Sequence, residues 1–377
     1  MNVTIIGSGF AALAAIRKIR QLDAGRSMQL TVIAPRATFL YLPSLIWIPS
    51  GTRRREDLIV PLGHFFERMG VTFHAADCLG FRDGGRTVLT TSGEVRNDAL
   101  LIASGGSYLR KAPGIDHTLN PCSGISPAEW LRNRLLQWRG GRIAMGFAGN
   151  PDEPSAVRGG PLFEFLFCLH TQLLRENRRD RFKLTFFSPM AEPGKRLGPR
   201  AVSSLLAAMG KKGIETRLGA KIVAFQEDRV VTAGGEIQAD AILFVPGMTG
   251  SPWFANCGVP LSPGGFFIAD ACCRVEGCER VWVAGDAGSF PGPDWRAKQA
   301  HMAELQAVVA ASNLFHALRG RSACATFRNE LICIVDSLDR GTLVSRFPRL
   351  NLMLPPIRTM HWIKQFLEAD TLRRYRS

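Results

Sequence analysis

The chain opens on an apolar run, Asn-Val-Thr-Ile-Ile at residues 2–6, which enters Gly7-Ser8-Gly9-Phe10-Ala11-Ala12. A helix-forming stretch over Ala12–Leu22 and a second apolar run over Gln29–Ile33 follow. Strand, glycine turn, helix and strand within about 30 residues form a βαβ unit, and its crossover makes the two strands parallel. Gly7 and Gly9 permit the tight turn and a close backbone approach to a pyrophosphate. The small residue Ala12 lets the helix pack on the strand, and the helix N-terminus presents N–H groups to the phosphates. The pattern predicts a doubly wound α/β chain that binds a dinucleotide; a packing-only glycine turn is the alternative. One departure stands out: where an acidic residue usually holds the ribose, at the end of the second strand, the sequence reads Ala34-Pro35-Arg36.

At 377 residues, the chain has room for two domains and a tail. With 46% apolar and 21% charged residues it is an ordinary globular sequence. Its apolar stretches, such as Pro161–Leu169, fall short of the roughly 20 residues of a spanning helix, so no transmembrane helix is expected. A fingerprint beginning at residue 7 leaves no room for a secretory leader, which predicts an intracellular protein. The net charge of +15 favours an anionic partner: nucleic acid, a phospholipid surface or an acidic substrate. Nine cysteines, an odd number without zinc spacing, argue against a disulfide framework and a structural metal and for reduced, redox-active or simply buried thiols.

Two later segments reinforce the opening. Ala99–Ser104 runs into Gly105-Gly106, and Arg280–Ala284 runs into Gly285-Asp286. They resemble the remaining flavin-contact segments of the two-dinucleotide-domain flavoprotein reductases. The resemblance implies FAD held by Gly7, Gly9, Ala11, Ala12, Arg36, Pro43, Ser104, Gly105, Gly285 and Asp286, with Asp286 on the ribityl chain and Lys298 near the flavin ring. Between these segments, Arg142–Phe147 enters Gly146-Phe147-Ala148-Gly149-Asn150, where a nicotinamide cofactor would bind. There Pro151-Asp152-Glu153-Pro154 replaces the phosphate-cradling turn, and its two carboxylates repel a pyrophosphate, so no NAD(P)H site is expected. A helix at Leu162–Arg175 and strands at Phe182–Phe187, Glu215–Leu218 and Ala241–Val245 fit a second α/β layer. The predicted architecture is α/β: a discontinuous FAD domain (1–110 and 246–318), a second Rossmann-like domain (111–245) and a C-terminal membrane-interface region (319–377).

Nearly the whole chain resembles the sulfide:quinone oxidoreductases, relatives of flavocytochrome c sulfide dehydrogenase and of the non-pumping NADH:quinone reductases. The resemblance includes Phe39-Leu40-Tyr41-Leu42-Pro43-Ser44, Gly160-Pro161-Leu162-Phe163-Glu164 and Ala297-Lys298-Gln299-Ala300. It extends to Cys333-Ile334-Val335-Asp336, Asp339-Arg340-Gly341, His361-Trp362-Ile363-Lys364 and Phe366-Leu367-Glu368. It implies sulfide capture by cysteine thiolates beside the flavin, two-electron delivery to FAD and release of the electrons to a membrane quinone. Cys122 and Cys333 match the family's first and last cysteines, and Glu164 matches a carboxylate that can relay protons.

The middle cysteine is absent. Ser155-Ala156-Val157-Arg158-Gly159-Gly160 occupies that stretch, with Arg158 nearest its place, and a guanidinium is no redox nucleophile. Three routes stay open: Cys122 pairs with Cys333; Cys333 alone carries the sulfur or a flavin adduct; or the substrate differs. Cys168 reads as core packing, Cys272, Cys273 and Cys278 as packing or exposed thiols, and Cys78, Cys257 and Cys324 as thiols without companions.

Arg340–Ser377 holds eight basic and two acidic residues, net +6. Met360, Ile363 and Leu367 recur at helical spacing beside Trp362 and Phe366, after Leu350, Leu352, Met353, Leu354 and the break Pro355-Pro356. That is the pattern of a basic amphipathic helix lying in the interface of an anionic membrane, the location of quinones. The expected partners are a membrane quinone, a small reduced sulfur compound and an anionic lipid surface, with a homo-oligomer compatible; no nucleic-acid module interleaves with the charge. The expected location is peripheral on the cytoplasmic membrane. The rival functions are an NAD(P)H:quinone reductase and a flavin-binding protein without sulfide turnover.

Overall fold

The computed structural model describes residues 1–322 and 324–376. In chain order, β1 (Asn2–Ile6), α1 (Phe10–Leu22), β2 (Gln29–Ala34), β3 (Val71–Ala75) and β4 (Ala99–Ile102) build the first layer. A second unit follows: β5 (Gly141–Phe147), α2 (Gly160–Arg175), β6 (Phe182–Ser188), β7 (Ile214–Leu218) and β8 (Ala241–Val245). The chain then returns with β9 (Val281–Val283) and α3 (Ala300–Leu318), and ends in β10 (Leu331–Asp336), β11 (Gly341–Phe347), β12 (Leu350–Met353) and α4 (Arg358–Arg376).

The first sheet is parallel in the order β9-β4-β1-β2-β3, and the second is parallel in the order β7-β6-β5-β8. Strands buried on both faces read as continuous apolar runs, and β4, β8 and β9 are buried at every position. The expected two-layer α/β architecture is therefore present. Each parallel sheet is accompanied by a three-stranded antiparallel meander, Cys78–Arg96 with the first and Ile222–Gln238 with the second. Small residues let α1 and α3 pack closely; Ala11, Ala12, Ala15, Ala303, Ala307 and Ala310 lie in the shared core.

The functional edge follows from register. Gly7 N–H donates to Ile33 O at 2.8 Å, Ala103 N–H to Ile6 O at 2.8 Å, and Ala284 N–H to Ile102 O at 2.9 Å. The turns after β1, β4 and β9 thus leave the same carboxyl edge side by side, where open α/β sheets bind ligands. Gly7 has φ +113°, and a Cβ there would stand 2.3 Å from Ala103 O, so the two turns approach as closely as backbones allow.

The last helix corrects a sequence expectation. The apolar residues Trp362, Ile363, Phe366 and Leu367 are exposed, whereas α4 buries His361, Lys364, Glu368, Leu372 and Tyr375. Lys364 therefore belongs to the interior and not to the basic surface face. Tyr375 anchors the helix end, with its ring edge-on to Phe39 and Phe65 at 5.4 and 5.3 Å. Those apolar residues face outward, and the helix is held to the protein by its buried ion pairs together with Leu372 and Tyr375. Among the described residues, no helix is long and apolar enough to cross a membrane.

The thiols correct another. Cys272 and Cys324, expected to be unpaired, form a disulfide with Cα atoms 5.4 Å apart, which ties the segment after α3 to the turn before β9. The 52-residue separation hides this pairing from local reading. Seven cysteines remain free. Thiol titration of the denatured, unreduced protein should count seven reactive groups; nine would show that the bridge does not form.

Candidate active site

The turn after β1 ends at Gly9, the N-cap of α1, which has no side-chain cap and no acidic residue in its first turn. A Cβ at Gly9 or Gly105 would meet nothing within 4 Å, so open space lies in front of these uncapped N–H groups. Ala11 and Ala12 are buried behind the turn. Gly285 completes the packing: a Cβ there would stand 3.1 Å from the Ala303 Cβ and 3.4 Å from the Ala11 Cβ. Ser104 Oγ and Gln299 Oε1 are buried without a hydrogen-bond partner in the protein, leaving polar atoms for a bound group to satisfy. Pro43 is half-buried and Arg36 is exposed beyond β2. Uncapped helix, open glycine cradle and orphaned polar atoms fit FAD at this edge.

Lys298 is not a surface lysine. Its Nζ donates to Asp286 O at 3.0 Å and Gly288 O at 2.7 Å, and lies 3.8 Å from the centre of the Phe266 ring. Burial lowers its pKa to about 8. The Asp286 side chain pairs with Arg158, whose Nη1 also donates to the Tyr108 hydroxyl at 3.3 Å. Thus the residue standing at the missing cysteine's place reaches across to the turn after β9.

At the second would-be fingerprint the structure refines the charge argument. Glu153 is buried and accepts from Ser155 Oγ at 2.7 Å and Ser289 Oγ at 3.0 Å, so only Asp152 faces solvent. Asn150 is fixed by donating to Met248 O at 2.9 Å, and a Cβ on Gly149 would meet Val157 at 2.7 Å. The turn is filled by its own chain, which leaves no glycine cradle of the kind at Gly9 and Gly105.

The two candidate thiols lie at the second core. Cys122 is buried and Cys333, on β10, is half-buried; both are free thiols, so they are not bridged to each other. Cys333 Sγ sits 3.7 Å from where a Gly160 Cβ would lie, at the start of α2. Burial pushes both thiols up to about 12, with the Glu164 carboxylate adding to the rise, so they are protonated at neutral pH.

Glu164 sits one turn into α2. Burial raises it to about 7, against the pull of the Lys364 ammonium with which it forms a buried ion pair. Lys364 also donates to Ile334 O at 3.3 Å. Asp336 N–H donates to Glu164 Oε2 at 3.3 Å, while the Asp336 carboxylate accepts from Trp47 Nε1 at 2.9 Å and pairs with His361 Nδ1 at 2.6 Å. Glu368, on the same helix face, binds Ser44 Oγ and the Arg53 guanidinium. Cys168, read as core packing, is buried and also donates weakly to Asp336 O at 3.6 Å. Sequence reading found Glu164, Asp336 and Lys364 in separate segments. It missed that they touch, because residues 200 apart pair only through tertiary packing.

A model of the pyridine nucleotide-disulphide oxidoreductases matches residues 1–307. The chain belongs to the pyridine nucleotide-disulphide oxidoreductase family. As a member of that family it is an FAD-dependent oxidoreductase. Among curated relatives, the sulfide-quinone reductase of Aquifex aeolicus is 23% identical over 359 residues, covering 89% of this chain and 81% of that protein. The external alternative NAD(P)H-ubiquinone oxidoreductase B3 of Arabidopsis thaliana is 21% identical over 77% of this chain and 55% of its own length. The solved sulfide:quinone oxidoreductase of Aquifex aeolicus superposes with a TM-score of 0.89 at 21% identity, covering 100% of this chain and 91% of that one.

The Glu164 environment sets a pH dependence. A carboxyl held at about 7 in the folded state, against an ordinary 4.5, binds more protons folded than unfolded. Its stabilising contribution is therefore complete below about 4.5 and is lost as the pH rises through 7. In Glu164→Gln the fall in denaturation midpoint between about pH 5 and pH 8 should shrink; an unchanged fall would assign it elsewhere.

Proposed function

We propose that this oxidoreductase takes electrons from a reduced sulfur compound at Cys333, with Cys122 beside it, and passes them through FAD to a membrane quinone. The observation that carries the reading is the continuity between the thiol pocket and α4. One buried polar network starts at Glu164, beside both thiols, and ends on the helix whose aromatic residues Trp362 and Phe366 are 61% and 66% exposed. Bound FAD supplies a two-electron acceptor that can be reoxidised one partner at a time.

The chain's own groups then have distinct tasks. Gly7, Gly9, Ala11, Ala12, Ser104, Gly105 and Gly285 shape the cradle for the dinucleotide, Pro43 borders it, and Arg36 stands where the adenosine ribose is read. Asp286 and Lys298 line the ring end, Lys298 stabilising negative charge there. Glu164, poised near neutrality, would take the Cys333 proton, and joining the Cys333 sulfur to the donor's sulfur would release two electrons for bound FAD to accept. Lys364 orients that carboxylate from α4.

The outer face of α4 fits a membrane surface. Ile363 and Leu367 add to the exposed apolar residues of this helix, Leu350 and Leu352 are exposed on β12, and a surface pocket of about 550 Å³ is lined by Arg53, Arg373 and Arg376 together with Asp57 and Glu368. Large apolar side chains rimmed by cations bind the interface of an anionic bilayer and bring the protein to its quinone. A peripheral position on the cytoplasmic membrane follows from this reading.

The self-filled turn at Gly149–Pro154 favours a sulfur donor over NAD(P)H. In an anaerobic titration, sulfide should bleach the flavin absorbance and a soluble quinone should restore it, while NADH should leave it unchanged. Cys333→Ser should slow bleaching at least about 100-fold, as loss of a nucleophile does. Bleaching by NADH, or full-speed bleaching by sulfide in both Cys333→Ser and Cys122→Ser, would contradict the reading.

A further inference from the structure

We infer that Arg158 is a positioning residue of the flavin site. Its guanidinium masks the Asp286 carboxylate and pins the turn after β9, which sets both the affinity for FAD and the potential at which the bound flavin accepts electrons. The inference rests on the reading of Asp286 at the ring end of the cradle and holds whichever donor reduces the flavin.

The Arg158 side chain ties three segments together. It leaves the loop that leads into α2, pairs with the Asp286 carboxylate 128 residues away, and donates through Nη1 to the Tyr108 hydroxyl at 3.3 Å. Ser107–Tyr108 pairs antiparallel with Met248–Thr249, so the contact also grips the two strands by which the chain passes from the first unit to the second and back. Other groups fix the same turn through its backbone. Gly285 N–H donates to Gln306 Oε1 at 2.9 Å, and Lys298 Nζ donates to Asp286 O at 3.0 Å and to Gly288 O at 2.7 Å. The Asp286 side chain is left to Arg158: among the described residues, no other cation lies within ion-pair distance of its carboxylate.

Burial gives this pair its weight. The Arg158 and Asp286 side chains are only 18% and 16% exposed, so water and salt screen their charges weakly. A carboxylate paired with a guanidinium adds little net charge to its surroundings, whereas an unpaired one adds a full negative charge. Flavin reduction brings negative charge into the same site, which a nearby cation favours and a nearby carboxylate opposes. With Arg158 on Oδ2, Asp286 keeps Oδ1 as an acceptor for the cofactor while its charge is cancelled. A neutral side chain at residue 158 would leave both oxygens in place without the counter-charge, so the cation itself, and not merely a hydrogen-bond donor, is what the turn uses.

Reconstitution of the apoprotein with FAD, read by quenching of flavin fluorescence, and potentiometric titration of the loaded protein test the inference. Arg158→Gln should bind FAD at least about tenfold more weakly and shift the flavin midpoint potential to more negative values. Arg158→Lys, which keeps the charge and loses the fork, should retain most of the potential. Asp286→Asn should shift the potential the other way, and combining it with Arg158→Gln should abolish the negative shift, a recovery that a merely structural arginine does not give. A wild-type potential in Arg158→Gln, or a negative shift that persists in the double variant, would overturn the inference. If Arg158→Gln does not fold, Asp286→Asn carries the test, and an unchanged potential there overturns it. Wild-type FAD affinity in Asp286→Asn would remove Asp286 from the cradle and with it the placement on which the inference rests. Weakened FAD binding in Asp286→Asn beside an unaltered Arg158→Gln would keep that placement and overturn the inference alone. The choice of a sulfur donor stands or falls on the anaerobic titration and not on these potentials.

Discussion

The ion pair between Glu164 and Lys364 is the contact on which the arrangement of this protein turns. It joins the first turns of α2 to the middle of α4, and neither side chain has more than a tenth of its surface in water. Two charges are removed from solvent only when each satisfies the other, and loss of one partner then costs about 3–5 kcal/mol. Around the pair, Asp336, His361 and Trp47 extend the hydrogen-bonded chain, and Glu368 with Ser44 and Arg53 repeats the device further along α4. The helix is thereby held by its polar stripe, and its aromatic stripe is left facing outward.

The same pair couples chemistry to location. Glu164 lies close to both thiols and is held by Lys364, a residue on the helix whose aromatic side chains are exposed. On the opposite side of the pocket, the loop carrying Arg158 touches the turn after β9, and the cradle for FAD opens along that edge. Thiol pocket, flavin edge and outer helix are thus three consecutive stations joined by specific contacts.

The backbone-dictated parts of this organisation were legible in the sequence. Gly7, Gly105 and Gly285 have positive φ and sit where only a glycine fits or where two backbones meet, so their spacing after apolar runs reported the sheet edge directly. The strand Ala241–Val245 reads in full because every residue in it is buried. What failed to read was nonlocal. Met360, Ile363 and Leu367 have core-like spacing, yet His361, Lys364, Glu368, Leu372 and Tyr375 share the same period, and their burial is decided by carboxylates and aromatic rings distant in the chain. A charged stripe at helical spacing was the available signal. The Cys272–Cys324 bridge left none, since neither neighbourhood resembles a disulfide framework. The helix Ile125–Gln137 was obscured by its mixed surface, with Trp130 and Leu136 exposed.

The account is tested most directly by a double-mutant cycle on the central pair, comparing Glu164→Leu, Lys364→Leu and the double variant by denaturant unfolding. Glu164→Leu leaves the Lys364 ammonium buried and unpaired and should lose about 3–5 kcal/mol, Lys364→Leu should lose less because Glu164 can take up a proton, and the double variant should recover most of the larger loss. Losses in the two single variants that simply add in the double variant would mean that the helix is held by other contacts, and would contradict the coupling from thiol pocket to outer helix.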